Sequence, residues 1–127
     1  MPIRGIRGAT IAQADTAEAI RAATREMLEA ITSANGLDLD DVASVIFSTT
    51  PDLTAEAPAR AARELGWKET AIMCVAEMNA RGGLARCIRV LVHWNTERRP
   101  NEVQHVYLHA ASQLRPDRVA PNNGRPA

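Results

Sequence analysis

The spacing of apolar residues along the chain predicts one long amphipathic helix near the N-terminus. Five apolar residues recur there at intervals of three and four, which places them on one helix face: Ile20, Ala23, Met27, Leu28 and Ile31. Asp15 followed by Glu18 has the spacing of a capping box, so we expect Asp15 to cap this helix. Asn35 and Gly36 close it, because glycine readily adopts the left-handed conformation at a helix end.

Runs rich in β-branched and other apolar residues predict five strands. They cover residues 2–12, 42–50, 70–78, 85–96 and 103–111. The pattern of the last run fits a strand or a helix, and we choose a strand because of Val103, Val106 and Tyr107. A short second helix is predicted over 57–65, with Pro58 in its first turn.

These elements follow the order β-α-β-α-β-β-β, with one long helix against a five-stranded sheet. One helix cannot cover both faces of such a sheet, so the other face must meet water, a ligand or another subunit. We expect a single domain over residues 1–115. Residues 116–127 are rich in Pro, Asn and Gly, which predicts a flexible C-terminal tail.

Composition narrows the class of protein. The 127 residues carry 15 basic and 15 acidic side chains, so net charge gives no indication of nucleic acid or an anionic membrane as a partner. Aromatic residues make up only 3%, which argues against a surface that stacks bases. Two cysteines are too few for a disulfide framework, and no apolar run has the length of a signal peptide or membrane span. We therefore expect a cytoplasmic protein.

Arginine is the dominant basic residue, since Lys68 is the only lysine and the other fourteen basic residues are arginines. The number of arginines alone fits a compositional bias, so the role of each arginine must be argued from its position in the sequence. Arg89 lies mid-strand, where alternation places it on one face with Cys87, Leu91 and His93. Arg7 likewise shares a face with Ile3, Gly5 and Ala9. An arginine among apolar neighbours is costly unless paired, so each is either a partnered structural arginine or an anion-binding group.

No other pattern indicates covalent or metal chemistry. The three histidines lack a carboxylate or cysteine that completes a ligand set: His93, His105 and His109. Neither a phosphate-binding glycine loop with lysine nor a nucleophile elbow is present. Arg60 and Arg63, one turn apart, fit a solvated helix surface, and Glu77 at a strand end fits an ion pair. Without an obvious nucleophile, the arginines favour binding and polarising an anion.

Five segments in register resemble the monofunctional, trimeric chorismate mutases of the small α/β class. The segments are IRGIRGAT at 3–10, STTPDL at 48–53, CxxEM at 74–78, GGLxRCIRV at 82–90, and HVYL with LRPD at 105–117. The resemblance covers almost the whole chain. It implies an α+β fold, in which a mixed five-stranded sheet is packed by one long helix and a short helix, and three copies close into a pseudo-α/β-barrel.

The resemblance also implies an activity. Chorismate mutases convert chorismate to prephenate by a Claisen rearrangement, at the shikimate-pathway branch to phenylalanine and tyrosine. No cofactor, metal or covalent intermediate is required. The expected assembly is a homotrimer with active sites between subunits.

By motif position, the resemblance assigns roles to seven residues. Arg89 stabilises the ether oxygen as it becomes negative, and Glu77 accepts a hydrogen bond from the substrate's ring hydroxyl and orients Arg89. The remaining five contact or enclose the substrate: Arg7, Arg63, Cys74, Tyr107 and Arg115. Among these, Arg7 and Tyr107 hold a carboxylate, and Cys74 lies against the ring. The neighbouring subunit contributes Arg63, and Arg115 closes the cleft from the tail.

Three details qualify this assignment. The glycines beside Arg7 are expected to let substrate and chain approach closely. Cys74 and Glu77 are three residues apart, so they line one cleft only if the strand bends or ends near residues 75–76. Departures from the family pattern bear on affinity, at Ala57, Arg60 and Met73.

Two alternative functions remain. One is a trimeric enamine/imine deaminase-like enzyme, which also grips a carboxylate with an arginine between subunits but gives no reason for Glu77 and Tyr107 together. The other is a non-catalytic anion-binding trimer. Turnover of 2-aminoacrylate or of chorismate distinguishes the three.

Overall fold

Five strands form one mixed sheet in the computed structural model, which describes residues 1–78 and 81–114. The strands are β1 (Ile3–Ile11), β2 (Val42–Thr49), β3 (Ala71–Ala76), β4 (Cys87–Asn95) and β5 (Val106–Tyr107). Their order is β3-β2-β4-β1-β5, with β4 antiparallel to both neighbours and the β1–β5 and β2–β3 pairs parallel. The helices are α1 (Ala17–Asn35) and α2 (Ala59–Glu64). The predicted mixed five-stranded sheet with one long and one short helix is confirmed.

The start of α1 differs from the prediction. Thr16, not Asp15, is the N-cap, because its extended backbone lets its hydroxyl accept from the N–H of Ala19 at 3.1 Å. Asp15 instead accepts hydrogen bonds from the backbone N–H groups of Thr54 and Ala55. The predicted end is correct, since Gly36 has a left-handed conformation with φ of 61°.

One face of the sheet, called here the helix face, packs against α1. The five predicted apolar residues of α1 are buried on it, together with sheet side chains from three strands: Ile6, Val45, Phe47, Ile88, Val90 and Val92. Gly8 points the same way, and a Cβ there would lie 2.7 Å from Ile31 Cδ1 and 2.9 Å from Val90 Cγ1. Gly8 therefore allows α1 to approach the sheet, and the expectation that it makes room for a substrate is wrong.

The segment predicted as a strand over 103–111 contains only a two-residue strand, β5. Short 3₁₀ segments flank it at Pro100–Glu102 and His109–Gln113. The amide of Asn35 exchanges two hydrogen bonds of 2.9 Å with the backbone of Gln104, so residue 104 is tied to the end of α1 rather than to a strand. His109 has φ of 54°, which ends the extended conformation.

The opposite face, called here the open face, carries the two predicted mid-strand arginines. The alternation predicted for Arg7 and Arg89 is confirmed, since both side chains point away from α1. Next to them, Met73 and Val75 are 61% and 42% exposed. The open face is covered near β5, where Ala111 and Leu114 pack with Ala9 and Tyr107. Within the described residues, no helix combines the length and apolar character needed to cross a membrane.

Candidate active site

The centre of the open face holds an ion pair between Arg89 and Glu77. The guanidinium Nε lies 3.1 Å from the carboxylate Oε1, and the two side chains are 32% and 20% exposed. Glu77 reaches this face by ordinary alternation, because it follows Val75 by two residues and Val75 is paired with Ser48 on the open face, whereas Cys74 is paired with Phe47. The structure thus brings together the two residues predicted to be catalytic.

Two successive residues of β2 hold Glu77 in place. The Glu77 N–H donates to the Thr49 carbonyl at 2.9 Å. The Ser48 hydroxyl donates to Glu77 Oε1 at 2.8 Å. Sequence analysis missed Ser48, although alternation along β2 places it on the open face and its register partner on β4 is Arg89.

Arg7 and Tyr107 lie beside this pair. Arg7, Ser48, Glu77 and Arg89 border one open cavity of about 300 Å³. The Arg7 guanidinium carbon lies 6.0 Å from the centre of the Tyr107 ring, within the range of a weak cation–π contact. The small Ala9 lies between Arg89 and Tyr107 in the sheet, because it is the register partner of Arg89 on β4 and of Tyr107 on β5.

The hydroxyl of Tyr107 is buried and has no hydrogen-bond partner within residues 1–78 and 81–114. A buried hydroxyl without a partner costs free energy. The hydroxyl therefore keeps a donor that no described residue uses, although Tyr107 does not line the cavity that Arg7 and Arg89 border. The backbone of Arg7 is fixed as well, because its N–H donates to Nδ1 of His105 at 2.9 Å.

A second cavity of about 390 Å³ adjoins the first and shares Arg89 and Glu77 with it. Its wall includes Cys87 and Asp52. Burial raises the pKa of the Cys87 thiol despite the opposing effect of Arg89, so the thiol is neutral at pH 7. Asp52 accepts a hydrogen bond from the Thr50 hydroxyl, which lowers the pKa of Asp52. Arg89 therefore shares this cavity with a neutral thiol and with a carboxylate that is hydrogen-bonded to Thr50.

Three predicted site residues are not brought to this cluster. Cys74 is exposed, and its register partner Phe47 lies on the helix face, so Cys74 is on the side of the sheet away from Arg89. Arg63 is exposed on α2 and lines neither cavity that contains Arg89. Arg115 lies outside the described residues. Arg60 pairs with Glu56 and Glu64 on the surface, as predicted for a solvated helix face.

The chemistry available at the cluster is electrostatic. The guanidinium groups of Arg7 and Arg89 line one cavity together with the Glu77 carboxylate, which accepts a hydrogen bond from Ser48. Over the part of the chain that the structure describes, no three His, Cys, Asp or Glu side chains gather as a metal site requires. Two guanidinium groups on one cavity suit the binding of an anion, and a fixed guanidinium suits the stabilisation of negative charge.

Comparison with known proteins gives a consistent result. A model of the family described as chorismate mutase type I matches residues 3–118. Chorismate mutase AroH of Thermus thermophilus is 47% identical over 116 residues, covering 91% of this chain and 95% of that protein. Chorismate mutase AroH of Bacillus subtilis (strain 168) is 45% identical over 118 residues, covering 92% and 93%. A solved chorismate mutase from Clostridium thermocellum has a TM-score of 0.84 and 45% identity, covering 87% of this chain and 98% of that one.

Proposed function

The chain belongs to the type I chorismate mutases, isomerases of aromatic amino acid biosynthesis, and on that premise we propose that Arg89 is its main catalytic group. The supporting observation is the ion pair that holds Arg89 at 3.1 Å from Glu77, on a face that is otherwise open to a ligand. A guanidinium held in this way needs no reorganisation when charge develops beside it.

The reaction explains why a fixed cation is sufficient. In the conversion of chorismate to prephenate, the ether C–O bond breaks while a C–C bond forms, and no atom enters or leaves. Negative charge grows on the ether oxygen as its bond to carbon lengthens. A cation placed at that oxygen binds the transition state more tightly than the substrate, which lowers the barrier.

The neighbouring side chains orient the substrate. Arg7 binds one of its carboxylates, and the buried Tyr107 hydroxyl, which has no partner within the described residues, donates to the same group. Glu77 accepts a hydrogen bond from the ring hydroxyl while its other oxygen holds Arg89. Orientation of the compact reactive conformer then supplies part of the rate.

Neighbouring copies complete the site in a homotrimer. The exposed Met73 and Val75 give the open face an apolar area that a second copy covers. Cys74 and Arg63, which lie away from Arg89 in their own protomer, reach the cleft of a neighbour and contact its substrate. Light scattering after size exclusion is expected to give three times the 13.8 kDa of one chain.

The last part of the chain has a smaller role. Arg115 adds a charge over the bound substrate at the end of the domain, 1–115, and the residues after Arg118 contribute little to turnover. A cytoplasmic location fits the cysteines, because Cys74 and Cys87 are both free thiols, which a reducing compartment maintains.

Loss of chorismate absorbance with purified protein tests the function. We expect turnover without added cofactor, unchanged by EDTA and nearly flat across neutral pH, since no proton is transferred. A protein that leaves chorismate unchanged but consumes 2-aminoacrylate would be a deaminase instead. Binding of prephenate without any turnover would establish an anion-binding trimer.

A further inference from the structure

We propose that Ser48 is a positioning residue for the reaction, acting through the carboxylate of Glu77. This inference rests on the proposed role of Arg89 and Glu77. The Ser48 hydroxyl does not reach the substrate in this scheme. It holds the group that in turn holds the catalytic cation.

One hydrogen bond and one ion pair at Glu77 carry the argument. Oε1 of Glu77 accepts a hydrogen bond from the Ser48 hydroxyl at 2.8 Å and forms an ion pair with Arg89 Nε at 3.1 Å. Both contacts fall on one carboxylate oxygen. The other oxygen, Oε2, takes no hydrogen bond from the described residues and remains available to the substrate's ring hydroxyl. Ser48 thus determines which carboxylate oxygen of Glu77 contacts Arg89 and which one accepts a hydrogen bond from the substrate.

The backbone explains why a second anchor is needed. Glu77 lies beyond the end of β3, and only its N–H, bonded to the Thr49 carbonyl, ties its backbone to β2. Its side chain has three rotatable bonds and remains 20% exposed. Arg89 is also long and 32% exposed, so each of the two depends on the other for its position. Ser48 sits on a central strand and has a short side chain, so it is the rigid member of the three.

The register of β2 with its two neighbouring strands places Ser48 beside Arg89 and Glu77. Ser48 is paired with Arg89 across the β2–β4 ladder and with Val75 across the β2–β3 ladder. Ser44 lies four residues earlier on β2 and the same face, but its hydroxyl is bonded to Nδ1 of His93 at 2.9 Å. These two serines form a matched pair, because only one of them reaches Glu77.

The test compares Ser48→Ala with Ser44→Ala by steady-state kinetics on chorismate. We expect Ser48→Ala to lower kcat about tenfold with KM changed less than twofold, because one hydrogen bond to a charged group is lost and substrate contacts are kept. Ser44→Ala is expected to keep kcat within a factor of two. Equal losses in the two variants would overturn the proposal, since they would report a general effect on the sheet.

A double-mutant cycle separates positioning from a merely structural role. In the Glu77→Ala background the Ser48 hydroxyl has nothing to position, so Ser48→Ala is expected to lower kcat less than twofold further. The same tenfold loss in that background would overturn the proposal.

A crystal structure of Ser48→Ala gives a readout that does not depend on turnover. We expect the Glu77 carboxylate to leave the 3.1 Å contact with Arg89 Nε. An unchanged contact would overturn the positioning role. Absence of chorismate turnover in the unaltered protein would overturn the proposed function instead, whatever this structure shows.

Discussion

The two faces of the sheet are built from the same strands but have opposite properties. On the helix face, sheet side chains pack tightly under α1, to the point that Gly8 has no space for a methyl group. On the open face, the same strands present Arg7, Ser48 and Arg89 around partly exposed cavities. Adjacent residues such as Arg89 and Val90 therefore belong to different environments.

The helix face stabilises the fold, whereas the open face carries the candidate active site. Burial of apolar surface against α1 supplies the free energy of folding on one face. The open face leaves an arginine partly exposed and a tyrosine hydroxyl without a partner among the described residues, which no folding argument requires. Substitutions on the helix face should change unfolding, and substitutions on the open face should change turnover.

The largest effect is expected from Arg89→Lys on the open face. An ammonium cannot reproduce the geometry of the guanidinium, so we expect kcat to fall by about 10²–10³-fold. The thermal midpoint should stay within a few degrees, because the side chain is not part of the packed core. Arg25→Lys, at an exposed position of α1, is the control and should leave both quantities unchanged. Near-complete activity in Arg89→Lys would remove Arg89 from the mechanism.

Gly8→Ala and Gly5→Ala compare the faces within one strand. At Gly8 the new methyl would overlap Ile31 and Val90, so we expect a loss of about 1–3 kcal/mol in the free energy of unfolding. At Gly5 the nearest atom is Leu91 Cδ1 at 3.3 Å, the end of a flexible side chain, so the change should stay within about 1 kcal/mol. Urea titration measures both, and similar losses at the two glycines would contradict the distinction between the faces.

Tyr107→Phe tests the unpartnered hydroxyl. Its removal deletes no hydrogen bond within the described residues, so the free energy of unfolding should stay constant or rise slightly. We expect kcat/KM to fall about fivefold, the value of one hydrogen bond of about 1 kcal/mol to the substrate. Chemical denaturation together with steady-state kinetics gives both numbers. A destabilised variant with normal kcat/KM would reverse the interpretation.

Asp15→Asn should give the smallest effect, and only on stability. Backbone hydrogen bonds from Ala55 and Thr54 lower the pKa of Asp15 below its usual 3.8. The carboxylate therefore stabilises the fold above pH 3.8, and this contribution disappears as the pH falls through the lower folded pKa. The urea midpoint of Asp15→Asn should be lower than that of the unaltered protein at pH 7, and the gap should shrink at pH 3. Glu29→Gln, exposed on α1, should show no gap at either pH.

Sequence patterns predicted the fold better than they predicted the site. The period of α1 and the alternation along β1 and β4 are local, so both were correct. The N-cap was misassigned because Asp15 and Thr16 are both good capping residues, and a contact with Thr54, 39 residues away, decides between them. The extent of β5 depends on Asn35 and Gln104, which no local pattern connects.

The candidate site was predicted only in part, because some of its contacts join residues that no local pattern connects. Alternation placed Arg7 and Arg89 on one face, but whether Glu77 shares that face depends on the register of β3 with β2, which pairs Val75 with Ser48. Ser48 was missed because a single serine in a strand has no distinctive pattern, and its partner comes from a different strand end. Motif position brought Cys74 and Arg63 to Arg89, whereas the register of β3 and the exposed side of α2 place them away from it.

The parallel pairing of β1 with β5 has a consequence for protein synthesis. Ala9 and Tyr107 are neighbours in the sheet, although 98 residues separate them along the chain. A ribosome adding 5–20 residues per second therefore makes Arg7 roughly 5–20 s before Tyr107. On the roles proposed above, a nascent chain that already has Arg89 and Glu77 still lacks Tyr107, the second group proposed to hold the substrate carboxylate. We therefore expect activity only when translation is almost complete, and weak chorismate binding by products truncated before Tyr107.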